Sequence, residues 1–303
     1  FTMTVNPTVG VNALIDQYIT SGQTSSLINI SSTTTNVTFN WTAVADPGIT
    51  GLVNFSNTDT TIIPAETLFN SASEPLEVTY TIYPVLDSPI DCPVDPIIYK
   101  VIVNPIASVI FIDDQILCDQ QLTSIIFISG ISGGNITYNW ISDVEIGAGL
   151  SGNDNMNFTA TNSSTAPVIA TITVTPVFEN GGVTNEGDSV SFTITVNPSA
   201  QLYDITNQVV CNGDTTSIVE FTTQNTGGTT TYTWTNNTSS IGLSDSGSGD
   251  ILAFTAINLS TAPVVATITV TPTFENGGVV CDGEDKTFTI TVNPTAQVNQ
   301  PTN

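Results

Sequence analysis

Apolar and polar residues alternate with a period of two along most of the chain. In "TFTITV", Phe288, Ile290 and Val292 alternate with threonines, and in "ATITVTP" Ala266, Ile268 and Val270 do the same. Alternation built from β-branched residues predicts strands with one buried and one wet face. No segment carries a helical stripe. In the last third of the chain, strands are predicted near 201–210, 217–224, 230–236, 251–257, 264–273 and 287–292, with turns rich in Gly, Asn and Asp between them. Pro272, like Pro176 and Pro84, cannot donate to a ladder, so it is expected to mark where its strand leaves the sheet.

The pattern itself recurs. Val-Asn-Pro marks fall at Asn6, Asn104, Asn197 and Asn293, in steps of 98, 93 and 96 residues, and "FNW", "YNW" and "YTW" keep the same beat at Trp41, Trp140 and Trp234. A period of that length is a whole domain rather than a solenoid unit. Six or seven short strands in about 95 residues predict an all-β fold of tandem Ig-like Greek-key β-sandwiches in an elongated array. The expected division is residues 7–104, 105–197 and 198–293 as repeats 1, 2 and 3. Residues 1–6 match the last strand of a preceding repeat and 294–303 the start of a following one, so the chain is expected to be a window from a longer array.

Composition narrows the function. The chain has 27 acidic residues, two lysines (Lys100 and Lys286), no arginine and no histidine, for a formal net charge of -25. Nucleic acid and anionic membrane surfaces need Lys and Arg, so neither is an expected partner. No apolar run is long enough for a membrane helix, so no membrane insertion is expected. Without His, Arg or a well-placed Lys, most acid-base and nucleophilic chemistry is unavailable, and no catalytic site is expected. A carboxylate pair could still hydrolyse a glycoside, yet no cleft-forming insertion breaks the repeats.

The aromatic-x-Trp pairs place Trp41, Trp140 and Trp234 at one register of one strand. Such indoles are expected to be core anchors between the sheets; the competing reading is an exposed sugar-stacking platform.

The segments "QVVCNGDTTSIVEFT", "YTWTN", "SIGLSDSGSGD", "FTAINLSTAPVVATITVTPTF" and "CDGEDKTFTITVNP" together resemble the PKD-like tandem repeats of giant cell-surface proteins of Bacteroidota, among them the SprB-like gliding-motility adhesins exported by the type IX secretion system. The resemblance spans all three repeats and is strongest in the third. It departs from ordinary PKD domains, whose Trp opens a Trp-Asp-Phe-Gly-Asp-Gly turn; here Trp234 is followed by "TNN" and Trp140 by "ISD". The resemblance implies an extracellular, cell-surface stalk that spaces an adhesive tip from its anchor. Its partners would be neighbouring repeats of the same chain, with surface polysaccharide or the motility machinery engaged by other parts of the parent protein. The alternative is a polysaccharide-binding module of a secreted protein or enzyme.

Four cysteines in an extracellular chain argue for disulfides. Aligned on the repeat, one position holds Thr20, Cys118 and Cys211, and another holds Cys92, Asn185 and Cys281. Pairing Cys211 with Cys281, and Cys92 with Cys118, is the simplest scheme. In a seven-strand antiparallel sandwich, however, these positions lie at opposite poles, roughly 30 Å apart at about 3.3 Å per residue, whereas a disulfide needs Cα atoms within about 7 Å. Between consecutive repeats the two poles meet. That favours a bond from Cys118 to Cys281, with Cys92 and Cys211 pairing to repeats outside the chain and Thr20 facing Asn185, both without sulfur. The intra-repeat bond and free thiols stay open.

Other candidates are weaker. Loops "SGNDNMN" (151–157) and "SDSGSGD" (244–250) collect oxygens that could hold Ca²⁺ but lack the spacing of a calcium loop, so no cofactor or metal is expected. Asp-Thr or Asp-Ser pairs at Thr60, Ser189 and Thr215 are similar to the O-glycan acceptor pattern of Bacteroidota, although three residues are a weak signal and ordinary turn residues before strands are the favoured reading. Asn-x-Ser/Thr triplets, including Asn36 and Asn258, are expected by chance in so Asn- and Thr-rich a chain.

Overall fold

The structure is a computed structural model that describes residue 1 and residues 9–86 and 94–298. Repeat 1 contains β1 (Gln17–Thr20), β2 (Ile28–Asn29), β3 (Val37–Ala45), β4 (Ile49–Thr50), β5 (Ser56–Thr60), β6 (Ile62–Ile63), β7 (Phe69–Asn70), β8 (Leu76–Leu86) and β9 (Ile97–Asn104). Repeat 2 contains β10 (Gln115–Cys118), β11 (Leu122–Ile125), β12 (Asn135–Ser142), β13 (Ser151–Asn153), β14 (Met156–Thr159), β15 (Val168–Asn180), β16 (Val183–Glu186) and β17 (Val190–Asn197). Repeat 3 contains β18 (Gln208–Cys211), β19 (Thr229–Asn236), β20 (Ser246–Ser248), β21 (Val264–Asn276), β22 (Val279–Asp282) and β23 (Lys286–Asn293). One short 3₁₀ turn, Ser239–Ile241, is the sole helical element among the described residues.

Each repeat is built on the same large sheet: β1-β9-β8-β3-β5, then β10-β17-β15-β12-β13, then β18-β23-β21-β19-β20. In repeat 2 the facing layer is the β11-β14 pair. In repeat 3 the corresponding predicted strands near 217–224 and 251–257 meet at isolated bridges, Thr215 with Thr255 and Val219 with Ile251, rather than in a continuous ladder. The alternation read from sequence is the packing rule. In β21, Ala266, Ile268, Val270 and Phe274 are buried while the threonines between them are half-exposed. Three separate clusters of buried side chains result, centred on Trp41, Trp140 and Trp234. The chain is therefore a tandem of Ig-like β-sandwiches.

Two features depart from the sequence reading. The first strand of each sheet runs parallel to the last, with Thr20 opposite Asn104, Cys118 opposite Asn197 and Cys211 opposite Asn293. The sandwich is thus not wholly antiparallel. The prolines do not end their strands either: Pro84, Pro176 and Pro272 lie inside β8, β15 and β21, opposite Phe39, Tyr138 and Tyr232.

The reason is local. β15 pairs with β17 over Val168–Val174 and then with β16 from Val177, and Pro176 falls in the gap between the two partners. Its carbonyl accepts from Gly187 N–H at 3.0 Å on that side. The missing N–H faces the same gap, where no ladder bond is lost. Beyond the proline, β15 and β16 continue as a hairpin past the end of β17, and β21 and β22 repeat this with Pro272 and Gly283.

Candidate functional site

These hairpins are where the repeats meet. Asn197 ends β17 and is wholly buried. Its side-chain amide donates to Asn276 O at 3.1 Å, and the Asn276 amide donates back to Asn197 Oδ1 at 2.9 Å. One repeat earlier, Asn104 donates to Asn180 O at 3.1 Å and Asn180 returns the bond to Asn104 Oδ1 at 2.9 Å. The Val-Asn-Pro asparagines Asn104 and Asn197 are therefore each locked to the Asn of the Glu-Asn-Gly-Gly turn in the next repeat. Buried amides satisfied on both sides contribute about 0.5–1.5 kcal/mol per bond.

The turn must press closely against the preceding repeat. Gly277 has φ 60° and Gly181 φ 62°, a region that L residues rarely adopt. A Cβ would overlap Ile116 at Gly277 and Tyr18 at Gly181. A second strut crosses each joint: Ser132 N–H donates to Ser73 O and Thr226 N–H to Thr165 O, both at 2.8 Å. The hairpin end of one repeat thus contacts the opposite end of its predecessor twice over, which stacks the repeats end to end.

The joints differ at the cysteine positions. Cys118 and Cys281 are joined by a disulfide, with Cα atoms 5.5 Å apart and 163 positions between them in sequence. Cys281 lies in β22, opposite Phe274, and is buried. The matching residue of repeat 2 is Asn185, opposite Phe178 in β16. Its amide donates to Pro105 O at 3.1 Å and its Oδ1 accepts from Ala107 N–H at 2.8 Å, so it grips the linker between repeats 1 and 2. Thr20, matching Cys118, is buried, and its hydroxyl has no partner among the described residues. Cys211 is exposed and unbonded. Cys92 lies outside the described residues.

The indoles are inside. Trp41, Trp140 and Trp234 are 1%, 6% and 7% exposed, and the Trp41 and Trp234 N–H groups donate to Ile62 O and Gly249 O, each at 3.1 Å. None offers a face to a sugar ring. In the two acidic loops the carboxamide of Asn155 and the carboxylate of Asp250 accept from the N–H groups of Phe127 and Phe221, at 2.9 and 2.8 Å. Their oxygens thus hold the loops to the neighbouring segments at Phe127 and Phe221. Ser189 and Thr215 are exposed; the Ser189 hydroxyl meets Thr175 Oγ1 at 2.8 Å, and Thr60 is half-buried with its hydroxyl bonded at Ile62.

Two sets of asparagines carry more structure than the sequence reading gave them. The joint pairs just described are one. The other is Asn70, Asn162 and Asn258, whose amides donate to Val103, Val196 and Val292 carbonyls at 2.7 Å and tie a corner to the end of the last strand. Asn258 belongs to an Asn-x-Ser triplet whose serine hydroxyl donates to Asn258 Oδ1 at 2.7 Å. Their signal was available: Asn180 and Asn276 stand 17 positions before a Val-Asn-Pro asparagine, and Asn70, Asn162 and Asn258 stand 34, 35 and 35 before one.

Charge and burial perturb few groups. Lys100, hydrogen-bonded to Glu77, holds that carboxyl below the usual range. Burial, with the nearby Glu66, pushes the Tyr80 phenol up to about 12, and burial raises Tyr99 further.

Against known proteins, residues 18–107 match the family profile described as a PKD-like domain. No curated protein matches the chain. Among solved structures, the I9–I11 tandem of titin aligns at 16% identity over 95% of this chain and 100% of its own, with a TM-score of 0.31. Mouse cadherin-23 EC22–24 aligns at 14% identity over 96% and 100%, with a TM-score of 0.32. The three N-terminal domains of the bacteriophage RB49 outer capsid protein Hoc align at 11% identity over 95% and 99%, with a TM-score of 0.40. Repeat 1 is thus PKD-like by sequence match, and repeats 2 and 3 share its sheet order.

Proposed function

We propose that the three repeats are a non-catalytic segment of the shaft of a bacterial cell-surface adhesin or filament, holding an adhesive tip away from the cell, as in the gliding-motility adhesins that the sequence resembles. The observation that carries this reading is the repeated joint: the same asparagine pair, glycine turn and backbone strut connect opposite ends of successive repeats. A module joined so uniformly transmits position from one end to the other. The charge supports the same reading, since a net charge of -25 along a row of repeats resists collapse and sideways aggregation. Partners in this reading are neighbouring repeats, while polysaccharide and the motility machinery are met elsewhere in the parent protein.

Small-angle scattering tests the proposal. Three repeats stacked end to end, each the length of an 8- to 13-residue strand, have a radius of gyration of about 23–37 Å, against about 19 Å for a compact chain of this length. A value near the compact one rejects the shaft.

A further inference from the structure

The end of repeat 3 that carries Asn293 presents, position for position, the registers that each earlier repeat uses to hold its successor. Val209, Cys211 and Asn293 stand in the registers of Ile116, Cys118 and Asn197 and of Tyr18, Thr20 and Asn104. Where a successor is present, the asparagine is wholly buried and bonded across the joint. At repeat 3, Asn293 is half-exposed, with no side-chain partner among the described residues, Val209 is 67% exposed and Cys211 is exposed. The strut follows suit: Thr165 and Pro167 are half-buried at their joint, whereas Thr261 and Pro263 are exposed. Asn293, Cys211 and Pro263 are more open than both of their counterparts, and Val209 is more exposed than Tyr18 at 37% and the half-buried Ile116.

We infer that this end is a socket for a β-hairpin of the form Asn-Gly-Gly-x-x-Cys from a further repeat, closed covalently through Cys211. The occupant is defined by the two joints already made. Its asparagine would pair with Asn293, its first glycine would sit on Val209, and its cysteine would lie where Cys281 lies against Cys118. Closure joins two thiols into one cystine, and the two hydrogens and two electrons released convert one oxidised glutathione into two glutathione molecules. The inference rests on the shaft reading and names what the shaft continues with.

The test is a chain in which a second copy of residues 198–293 follows Asn293 directly, purified with oxidised glutathione and mapped without reduction. The expected map links Cys211 to the added copy's hairpin cysteine and retains the Cys118–Cys281 link. In a parallel chain whose added hairpin carries serine instead of that cysteine, alkylation of Cys211 is expected to slow about tenfold relative to the original chain, because the thiol becomes covered. Cys211 alkylated at its original rate in both chains, with Cys118–Cys281 intact, overturns the socket. That outcome leaves the scattering test of the shaft untouched, so the two readings fail separately.

Discussion

Between repeats 1 and 2 an asparagine grips the linker where, between repeats 2 and 3, a disulfide closes the same gap. The rest of the two joints is shared: the buried amide pair, the positive-φ glycine against a strand residue, the backbone strut. The difference in bonding lies at Thr20 and Asn185 against Cys118 and Cys281; elsewhere Tyr18 exchanges for Ile116 and the Ser73–Ser132 strut for Thr165–Thr226 without changing the contact. Asn185 makes two bonds to the linker backbone, while Thr20 is left buried with an unpartnered hydroxyl. The comparison teaches that the stacking geometry is set by amides and glycine, and that the cystine is an addition to a joint that forms without it.

Exchanging the two pairs should have the largest effect. Thr20→Cys with Asn185→Cys is expected to form a second cross-joint disulfide, seen as a linked peptide, and to raise the unfolding free energy of repeats 1 and 2, read by denaturant titration, by an amount typical of disulfides, about 2–4 kcal/mol. Cys118→Thr with Cys281→Asn should lower repeats 2 and 3 by a similar amount while leaving the end-to-end length unchanged. A shortened or kinked particle in the second variant would show that the cystine sets the geometry after all.

Repeat 1, on the uncrosslinked side, should also be the first to yield to alkali. Tyr80 is 1% exposed and keeps its proton up to about 12, whereas the unfolded chain releases it near 10. A raised phenol stabilises the folded state fully below the unfolded value and ceases to do so as pH climbs. Stability of repeat 1 should therefore fall by about 2 kcal/mol between those values. Melting followed by near-ultraviolet circular dichroism reads it, and Tyr80→Phe should blunt the loss.

Removing one amide at each joint sharpens the contrast further. Asn104→Ala and Asn197→Ala each delete a reciprocal pair worth about 1–2 kcal/mol. Hydrogen exchange at the 180–183 turn should rise more in the first variant than exchange at the 276–279 turn does in the second, where the cystine still holds the hairpin. Equal increases would mean that the disulfide contributes nothing to holding the turn.

The smallest effect belongs to the Lys100–Glu77 pair on β9 and β8. The lowered Glu77 carboxyl stabilises repeat 1 above its ordinary value of 4.5 and loses that contribution as pH falls through the folded value. Glu77→Gln should therefore slightly flatten the acid limb of the melting curve of repeat 1, with little change at neutral pH.

Much of this was readable before any coordinates. Alternation located the strands because one face of each is buried, and aligning on Val-Asn-Pro put Thr20, Cys118 and Cys211 at one register, where the parallel ladders also have them. Proline misled, because the rule that it breaks a ladder ignores which side of the strand lacks a partner; at Pro176 and Pro272 that side is already open. The parallel first strand left no mark in the alternation, which reports faces and not directions. The joint asparagines were visible as period marks, but only the fold brings residues 79 positions apart into reciprocal bonds.

The path between repeats 2 and 3 is covalently closed, and among the described residues the path between repeats 1 and 2 is not. Pulling single molecules by their ends measures it directly. With Cys118 bonded to Cys281, the 163-residue span between them cannot be extended, so the unfolded contour should lengthen by about 560 Å on adding reductant. A gain near about 240 Å, the span from Cys211 to Cys281, or no gain at all, would contradict the account.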